Sequence, residues 1–291
     1  MADSAAGAAP AVRWQGSPER LDRVVAETGL ARSRSRAAEL IAAGEVRVDG
    51  RPVTKAGTKV PSGALVEVAV ADRYVGRAAG KLVAGLDRFG IDPAGRLALD
   101  LGASTGGFTQ VLLERGARAV QAIDVGHDQM VPELAADPRV HLVEGCNARE
   151  LDRTLLEART GETEAPSLVV ADLSFISLTL VLPAIARSAA ADADLVLLIK
   201  PQFEVGRVKD GVVTSPEQRA EAMRRVLAAA AAHGYDCRGL EASPVVGGAG
   251  NREVLAHFAR GASPDPTQWE GRIAELRGPD GIVGPTANRT T

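Results

Sequence analysis

The sequence is poor in the residues that define several classes of protein. Only two of its 291 residues are cysteine, Cys146 and Cys237, and neither lies at metal-ligand spacing. This predicts a reduced, cytoplasmic protein with no disulfide framework and no metal. Aromatic residues make up 3% of the chain. No apolar run is as long as the roughly 18 residues that a membrane-spanning helix needs. Residues 1–7 lack the features of a secretory signal, so we expect a soluble protein with no membrane partner.

Charge is unevenly distributed along the chain. Lysine and arginine number 34 against 37 acidic residues, which gives a formal net charge of −3. Residues 18–60 nevertheless carry nine basic and six acidic side chains, so this segment has a net charge of +3 and the remainder −6. A basic module joined to an acidic one predicts a polyanionic partner for the basic part.

Periodicity in the basic segment predicts a small mixed α/β unit. Apolar residues show helical spacing after Arg20 and again from Arg36, and Gly44 ends this second helix. In residues 46–53, apolar and polar residues alternate around an Asp-Gly pair, which is a strong hairpin signal. Residues 65–70 are predicted to form a further strand. This order of elements, with the sequence SRSRAAELIAAGEVRVDGRPVTK, resembles the S4 RNA-binding domain.

The S4 resemblance implies that basic side chains of this segment contact RNA. Three arginines lie at the start of the second helix, where their charge and the helix dipole both favour phosphate. No aromatic residue occurs within residues 18–70, which argues against base stacking and for recognition of folded RNA by backbone and shape. A solvated basic face that binds nothing is the alternative. The candidates are Arg20, Arg23, Arg32, Arg34, Arg36, Arg47 and Lys55.

The stretch from residue 97 to residue 115 is the most informative part of the chain. An apolar run meets three glycines, Gly102, Gly106 and Gly107, and passes into a segment of helical spacing. This pattern of strand, tight turn and helix opens a nucleotide-binding α/β sheet, because glycine permits positive φ and close approach of a ligand. Asp124 ends the next strand, where its carboxylate can bind a ribose diol. A tight turn without a ligand is the alternative.

Six further strand-like runs follow, and helical segments alternate with most of them. The runs are residues 120–124, 141–143, 167–172, 194–200, 237–242 and 254–258. Seven strands with intervening helices predict a doubly wound α/β sheet. Too few residues separate the last two strands for a crossover helix, so we expect an antiparallel hairpin. Such a hairpin is typical of the Rossmann-like methyltransferase version of this sheet and not of the dehydrogenase version.

Charged residues at strand ends are the candidates for chemistry, because ligands of open α/β sheets bind beyond the carboxyl ends of the strands. Asp172 and Lys200 end two strands, Glu253 opens the last strand, and Lys81 opens the helix before the glycine-rich strand. Burying an ammonium group is costly unless it is paired. Two lysines and two carboxylates in one cleft would supply that pairing, while a second ammonium group and desolvation favour loss of a proton from one lysine. Such a lysine could deprotonate a ribose 2′-hydroxyl as the oxygen attacks a sulfonium methyl group, a transfer that needs no metal.

In order and setting, these four residues resemble the Lys-Asp-Lys-Glu tetrad of the FtsJ-type ribose 2′-O-methyltransferases. With the S4-like segment in front, residues 18–260 are similar to the TlyA family, most specifically in the motifs DLGASTGGF, ADLSFISL, IKPQFE and GNREVL. The resemblance implies S-adenosylmethionine as cofactor and cytidine ribose in ribosomal RNA of the small and large subunits as substrate. We also expect a monomer. The resemblance also implies the cofactor-binding residues Gly102, Ala103, Ser104, Gly106, Gly107, Phe108, Asp124 and Asn147.

Simpler explanations exist for each tetrad residue. Asp172 could cap the next helix, Lys200 could extend to water, Glu253 could be a surface acid on an edge strand, and Lys81 could be an ordinary helix-start lysine. Three other functions are also open. The first is an amino-methyltransferase, which is disfavoured because no Pro pair follows the fourth strand. The second is a membrane-active haemolysin, which would need an apolar or strongly amphipathic helix. The third is an RNA-binding protein whose methyltransferase fold is not catalytic.

Composition and motifs together predict the domain boundaries. We expect a disordered tail at residues 1–17, rich in Ala, Gly, Pro and Ser, and an S4-like domain at residues 18–70. A linker at residues 71–80 leads to a methyltransferase domain at residues 81–262, and a tail follows at residues 263–291 with one or two helical turns.

Overall fold

The computed structural model describes residues 11–31, 33–68, 74–206, 208–247, 250–261 and 265–278. The chain divides into two compact units, Met1–Val75 and Gly76–Thr291. Each unit buries its own hydrophobic core.

The N-terminal unit combines two short helices with small antiparallel sheets. Its elements are β1 (Ala11–Arg13), β2 (Glu19–Arg20), α1 (Leu21–Glu27), α2 (Arg34–Ala42), β3 (Val46–Val48), β4 (Arg51–Pro52), β5 (Lys59–Val60) and β6 (Leu65–Val68). One sheet has the strand order β1-β6-β3-β4, and β2 pairs with β5. The apolar stripes of α1 and α2 supply much of the core of this unit.

The sequence signals for α2 and for the hairpin have direct structural counterparts. The side chain of Ser33 accepts a hydrogen bond from the Arg36 backbone N–H, so α2 begins at Arg34, two residues before the predicted start. The β3–β4 turn places Asp49 at φ 48° and Gly50 at φ 75°, and positive φ at both positions is what a type I′ hairpin requires. The predicted hairpin is therefore confirmed. Residues 69 and 70 of the last predicted strand lie outside the described residues.

The structure corrects the prediction of a disordered tail for residues 11–17, while residues 1–10 lie outside the described residues. Residues 11–13 form β1, which pairs antiparallel with Leu65–Glu67 of β6, and Val12 and Trp14 pack against the core of the N-terminal unit. The Arg13 guanidinium also donates to the Gly63 carbonyl at 2.8 Å. Composition averaged over this segment does not reveal the strand, because many small residues outnumber the two apolar residues that anchor it.

The C-terminal unit alternates strands and helices around one large sheet. Its strands are β7 (Leu97–Leu101), β8 (Ala119–Ile123), β9 (Val140–Val143), β10 (Leu168–Ala171), β11 (Asp194–Ile199), β12 (Tyr235–Ala242) and β13 (Val254–Arg260). Its helices are α3 (Ala79–Phe89), α4 (Gly107–Glu114), α5 (Pro132–Ala135), α6 (Arg153–Thr160), α7 (Leu178–Ser188), α8 (Pro201–Glu204), α9 (Pro216–Ala232) and α10 (Glu270–Leu276).

The seven strands form one sheet in the order β12-β13-β11-β10-β7-β8-β9. Six of these strands run in the same direction, and β13 runs antiparallel to its neighbours β11 and β12. This confirms the predicted doubly wound sheet and its terminal hairpin. The central strands are buried along their whole length, which explains their nearly continuous apolar sequences.

Helix α3 lies close against the sheet because Gly85 has no side chain. A Cβ atom at this position would lie 3.2 Å from a Val196 methyl group. The helix begins at Ala79, so the last two residues of the predicted linker belong to it, and residues 71–73 lie outside the described residues. No helix in the described part of the chain is long and apolar enough to span a membrane.

Candidate active site

The sheet topology brings three of the four predicted catalytic residues to one edge. Asp172 directly follows β10 and Lys200 directly follows β11, and these two strands are parallel neighbours. Glu253 directly precedes β13, which runs antiparallel to β11 with Val254 opposite Ile199. The start of an antiparallel strand lies beside the end of its neighbour. Glu253, which precedes Val254, and Lys200, which follows Ile199, therefore lie side by side at this end of the two strands.

Lys81, in the first turn of α3, completes the cluster. Its Nζ lies 2.7 Å from Oε2 of Glu253 and 3.4 Å from Oδ2 of Asp172. On the other side, Nζ of Lys200 lies 2.6 Å from Oδ1 of Asp172. Relative exposure is 7% for Lys81, 8% for Lys200 and 5% for Glu253. The four side chains thus form a nearly buried chain of alternating charge, in which Asp172 touches both ammonium groups.

The simpler structural explanations fit this arrangement poorly. The helix after Asp172 is capped by Ser177, whose hydroxyl accepts from the Thr179 N–H. Glu253 precedes an interior strand of the sheet and is buried. Lys200 is buried as well and does not extend to water.

The glycine-rich turn adjoins this cluster. Gly102 has φ 82° and Gly106 has φ 97°, a conformation that favours glycine. A Cβ atom on Gly102 would also lie 3.2 Å from the Asp172 carbonyl oxygen. The turn therefore packs against the residue that follows β10, and it leaves its backbone accessible on the other side.

Asp124 is tied to the same turn through its carboxylate. Oδ2 accepts the Ser104 N–H at 2.8 Å, and Oδ1 accepts the Gly126 N–H at 2.7 Å. These bonds use one acceptor position on each oxygen. The remaining lone pairs can accept hydroxyl groups, which is the chemistry that a ribose diol requires.

Two cavities open beside the turn. The smaller measures about 180 Å³, and the larger, of about 510 Å³, has the size of a small-molecule site. Gly102, Ser104, Asp172 and Ser174 line both. Of the other cofactor candidates, Ala103, Gly107 and Phe108 line the smaller cavity and Asp124 and Asn147 the larger, while Gly106 is the N-cap residue of α4.

Three residues of this site were not predicted from the sequence. Ser174 accepts a hydrogen bond from Nζ of Lys200 at 2.9 Å. Phe175 is 92% exposed at φ 64°, and its ring centroid lies 5.4 Å from that of Phe203. Glu204 is buried behind them. All three lie within the motifs ADLSFISL and IKPQFE, so the sequence contains a signal for them, but Ser174 and Phe175 are uncharged and Glu204 lies beyond the end of β11.

Asp100 is a buried carboxyl group inside β7. Oδ2 accepts the Thr109 hydroxyl at 2.7 Å, while Oδ1 is buried without a hydrogen-bond partner among the described residues. Burial is the main cause that raises the pKa of Asp100 to about 7. Because the pKa is higher in the folded than in the unfolded chain, the folded state binds more protons, and Asp100 lowers stability progressively as the pH rises from 4 towards 7.

We therefore expect Asp100→Asn to stabilise the protein more at pH 8 than at pH 5. The amide keeps an oxygen for the Thr109 hydroxyl and carries no charge, so the gain in the free energy of unfolding should grow by about 2.6 kcal/mol between the two pH values. Urea unfolding of both proteins at each pH measures it. An equal stability difference at pH 5 and pH 8 would contradict the linkage.

The structure places several predicted RNA contacts of the N-terminal unit in ion pairs. Arg20 and Arg34 each approach the buried Asp22 carboxylate at 3.0 Å, and hydrogen bonding from Arg20 is the main cause that lowers the pKa of Asp22. Arg23 pairs with Glu19 and Glu27.

The remaining RNA candidates differ in their pairing. Arg36 pairs with Glu39 at 2.8 Å, whereas Arg47 and Lys55 are exposed on the hairpin side of the unit and form no ion pair with a described residue. Arg32 lies outside the described residues. The unit therefore presents fewer uncompensated cations than its composition suggests.

Comparisons with known proteins agree with this geometry. The FtsJ-like methyltransferase family model matches residues 74–260, and the S4 domain model matches residues 19–66. A Mycobacterium tuberculosis relative, named 16S/23S rRNA (cytidine-2′-O)-methyltransferase TlyA, is 49% identical over 81% of this chain and 88% of its own length.

Two further relatives carry another name. The protein named Hemolysin A from Brachyspira hyodysenteriae is 38% identical over 82% of this chain and 99% of its own. A solved structure from Streptococcus thermophilus, also named as a hemolysin, has 36% identity and a TM-score of 0.69, and it covers 89% of this chain and 96% of that one. With this tetrad, this sheet order and these matches, the chain belongs to the FtsJ-like methyltransferases and, among them, to the TlyA family of S4-containing proteins.

Proposed function

We propose that this protein is an S-adenosylmethionine-dependent methyltransferase that methylates the ribose 2′-hydroxyl of cytidine in ribosomal RNA. The proposal is carried by the nearly buried cluster of two lysines and two carboxylates beside the glycine-rich turn. The name of the Mycobacterium tuberculosis relative supports the choice of substrate. When bound, S-adenosylmethionine supplies a methyl group on a positively charged sulfonium.

The residues around the glycine-rich turn fit this cofactor. The Asp124 carboxylate offers lone pairs for the two ribose hydroxyls of the adenosyl group, and Asn147 lies at the wall of the same cavity. Positive φ at Gly102 lets the backbone approach the ligand closely. The adjoining smaller cavity, lined by Lys200 and Asp172, is where the acceptor hydroxyl would meet the methyl group.

Lys200 is the better candidate for the base. One carboxylate and one neutral hydroxyl, Ser174 Oγ, contact its Nζ, whereas Lys81 is held between two carboxylates. Lys200 lines the smaller cavity, whereas Lys81 lines neither cavity, so the Lys200 amine is the one that an acceptor hydroxyl can reach. A neutral Lys200 can donate its two hydrogens to Asp172 and Ser174 and direct its lone pair at the 2′-hydroxyl.

The other three residues support this step. Asp172 orients Lys200, and Lys81 holds the Asp172 carboxylate in place from the other side. Glu253 in turn holds Lys81 at 2.7 Å and compensates its charge. When Lys200 accepts the hydroxyl proton it becomes an ammonium group whose carboxylate partner is already in contact, so its new charge needs no rearrangement.

The experiment that tests the proposal is methyl transfer from labelled S-adenosylmethionine to ribosomal subunits from cells that lack this protein. We expect label in 2′-O-methylcytidine after digestion of the RNA to nucleosides. Label on a base nitrogen, or no label in RNA, would refute the proposal. Release of dye from lipid vesicles by the same preparation would instead support the function suggested by the hemolysin names.

The N-terminal unit is proposed to hold ribosomal RNA through phosphate contacts. We expect Arg47→Ala with Lys55→Ala, the two exposed candidates that form no ion pair with a described residue, to weaken binding and to reduce the slope of log K against log salt by up to about 2, since each lost duplex phosphate contact removes about 0.9. Filter binding of subunit RNA at several salt concentrations measures the slope. The control is Arg153→Ala with Arg238→Ala, a matched pair that removes exposed positive charge from the C-terminal unit. An unchanged slope in the test variant would contradict the assignment.

A further inference from the structure

Helix α8 is held against the loop that carries Asp172 at two separate points. At its start, Nζ of Lys200 contacts Asp172 and Ser174. At its end, the Glu204 carboxylate accepts the Leu178 N–H at 2.9 Å through Oε1 and the Ser177 hydroxyl through Oε2. The loop between β10 and α7 is therefore fixed near both of its ends by one four-residue helix.

Glu204 is an unusual residue to find in this position. It is 5% exposed, and burial is the main cause that raises the pKa of its carboxyl group. Its carboxylate forms no ion pair with a described residue, and Arg225 donates to its backbone carbonyl at 3.0 Å. A buried carboxylate without an ion-pair partner is costly, so its two hydrogen bonds to the loop must be satisfied for the helix to sit where it does.

The loop has a strained and exposed centre. Phe175 adopts φ 64°, which is unfavourable for a side chain with a Cβ atom, and its ring is 92% exposed. Among the described residues, its ring packs against the ring of Phe203, the residue before Glu204 in α8. Backbone strain of this kind persists only when surrounding contacts impose it, and the Glu204 bonds to Ser177 and Leu178 are the contacts at that end of the loop.

We propose that Glu204 is a positioning residue for methyl transfer, which acts by holding the loop of residues 172–177 against α8. This inference rests on the proposed function. It assigns to Glu204 the alignment of Asp172 and Ser174 on Lys200, without contact with substrate or cofactor. Loss of its two hydrogen bonds frees the loop, and the lysine then loses the fixed acceptors that orient it.

The test compares two variants of Glu204 with different hydrogen-bonding capacity. Glu204→Gln keeps an oxygen for the Leu178 N–H and an amide group that can donate to the Ser177 hydroxyl, whereas Glu204→Ala removes both bonds. We expect kcat to fall about tenfold in Glu204→Ala, with KM for S-adenosylmethionine within about twofold of wild type. Glu204→Gln should restore kcat. An alanine variant with unchanged kcat, or a glutamine variant as poor as alanine, would overturn the proposal.

A matched control separates positioning from general stability. Asp194, at the opposite end of β11, is paired with Arg96 and His257, each at 2.8 Å. Asp194→Asn should lower the melting temperature and leave kcat unchanged. If Glu204→Ala fails to fold, Ser177→Ala replaces it, because this variant removes one of the two bonds to Glu204, and kcat should then fall several-fold.

Amide hydrogen exchange gives a readout that does not depend on catalysis. In Glu204→Ala the peptide that contains residues 172–178 should exchange faster, while peptides from β7 and α9 keep their protection. If wild-type protein transfers no methyl group, the proposed function fails, and exchange alone then decides the role of Glu204. Unchanged protection of that peptide would overturn the proposal in either case.

Discussion

Lys200→Ala should lower kcat for methyl transfer by about 100-fold or more, the usual contribution of a general base, while S-adenosylmethionine still binds. The side chain lies at the wall of the smaller cavity, 2.6 Å from Asp172 and 2.9 Å from Ser174. Asp124 and the glycine-rich turn are left intact. Single-turnover methylation of ribosomal RNA gives the rate, and calorimetric titration gives the cofactor affinity.

Two further variants show what kind of role Lys200 has. Lys200→Arg keeps the positive charge and the pairing with Asp172, but a guanidinium group does not release a proton near neutral pH. It should be as inactive as the alanine variant if Lys200 is the base. Lys209→Ala removes an exposed lysine nine residues later and should leave kcat unchanged. Substantial turnover in Lys200→Arg would reduce the role of Lys200 to electrostatics, and turnover in Lys200→Ala would remove it from the mechanism.

Asp172→Asn should be the most damaging single change in the cluster, since it affects both activity and stability. Asp172 is the carboxylate that contacts both Lys81 and Lys200. Without its charge, the nearly buried Lys200 has no carboxylate in contact and Lys81 keeps only Glu253, and breaking a buried pair in this way costs about 3 kcal/mol. Activity should fall by about 100-fold or more, since the base loses its orienting partner.

Asp194→Asn provides the comparison for this effect. It removes the charge of a partly buried carboxylate that also contacts two cationic partners, Arg96 and His257, at the edge of the sheet opposite the cluster. It should lower the free energy of unfolding and leave turnover of the folded enzyme intact. If Asp172→Asn lost stability but kept its turnover number, the carboxylate would have a structural role alone.

The fold of each unit followed largely from local sequence. The Asp49-Gly50 turn, the glycines of residues 102–107 and the apolar strands of the large sheet are each determined by backbone conformation or burial within a short window. The short separation between β12 and β13 was enough to predict their antiparallel pairing. Segment-averaged composition failed only for β1, where two apolar anchors in a tail rich in small residues fix a strand.

The sequence by itself placed Asp172, Lys200 and Glu253 at strand ends, because a strand end is a local property of the chain. Tertiary structure alone decided which carboxylate each lysine contacts, that Arg20 and Arg34 share Asp22, and that Glu204 reaches across to Leu178. Such contacts join residues far apart in the chain, and their distances depend on strand order, register and helix packing. Hydrophobic periodicity sets which face of an element is buried, but it contains no information about the side chain that a partner element brings opposite to it.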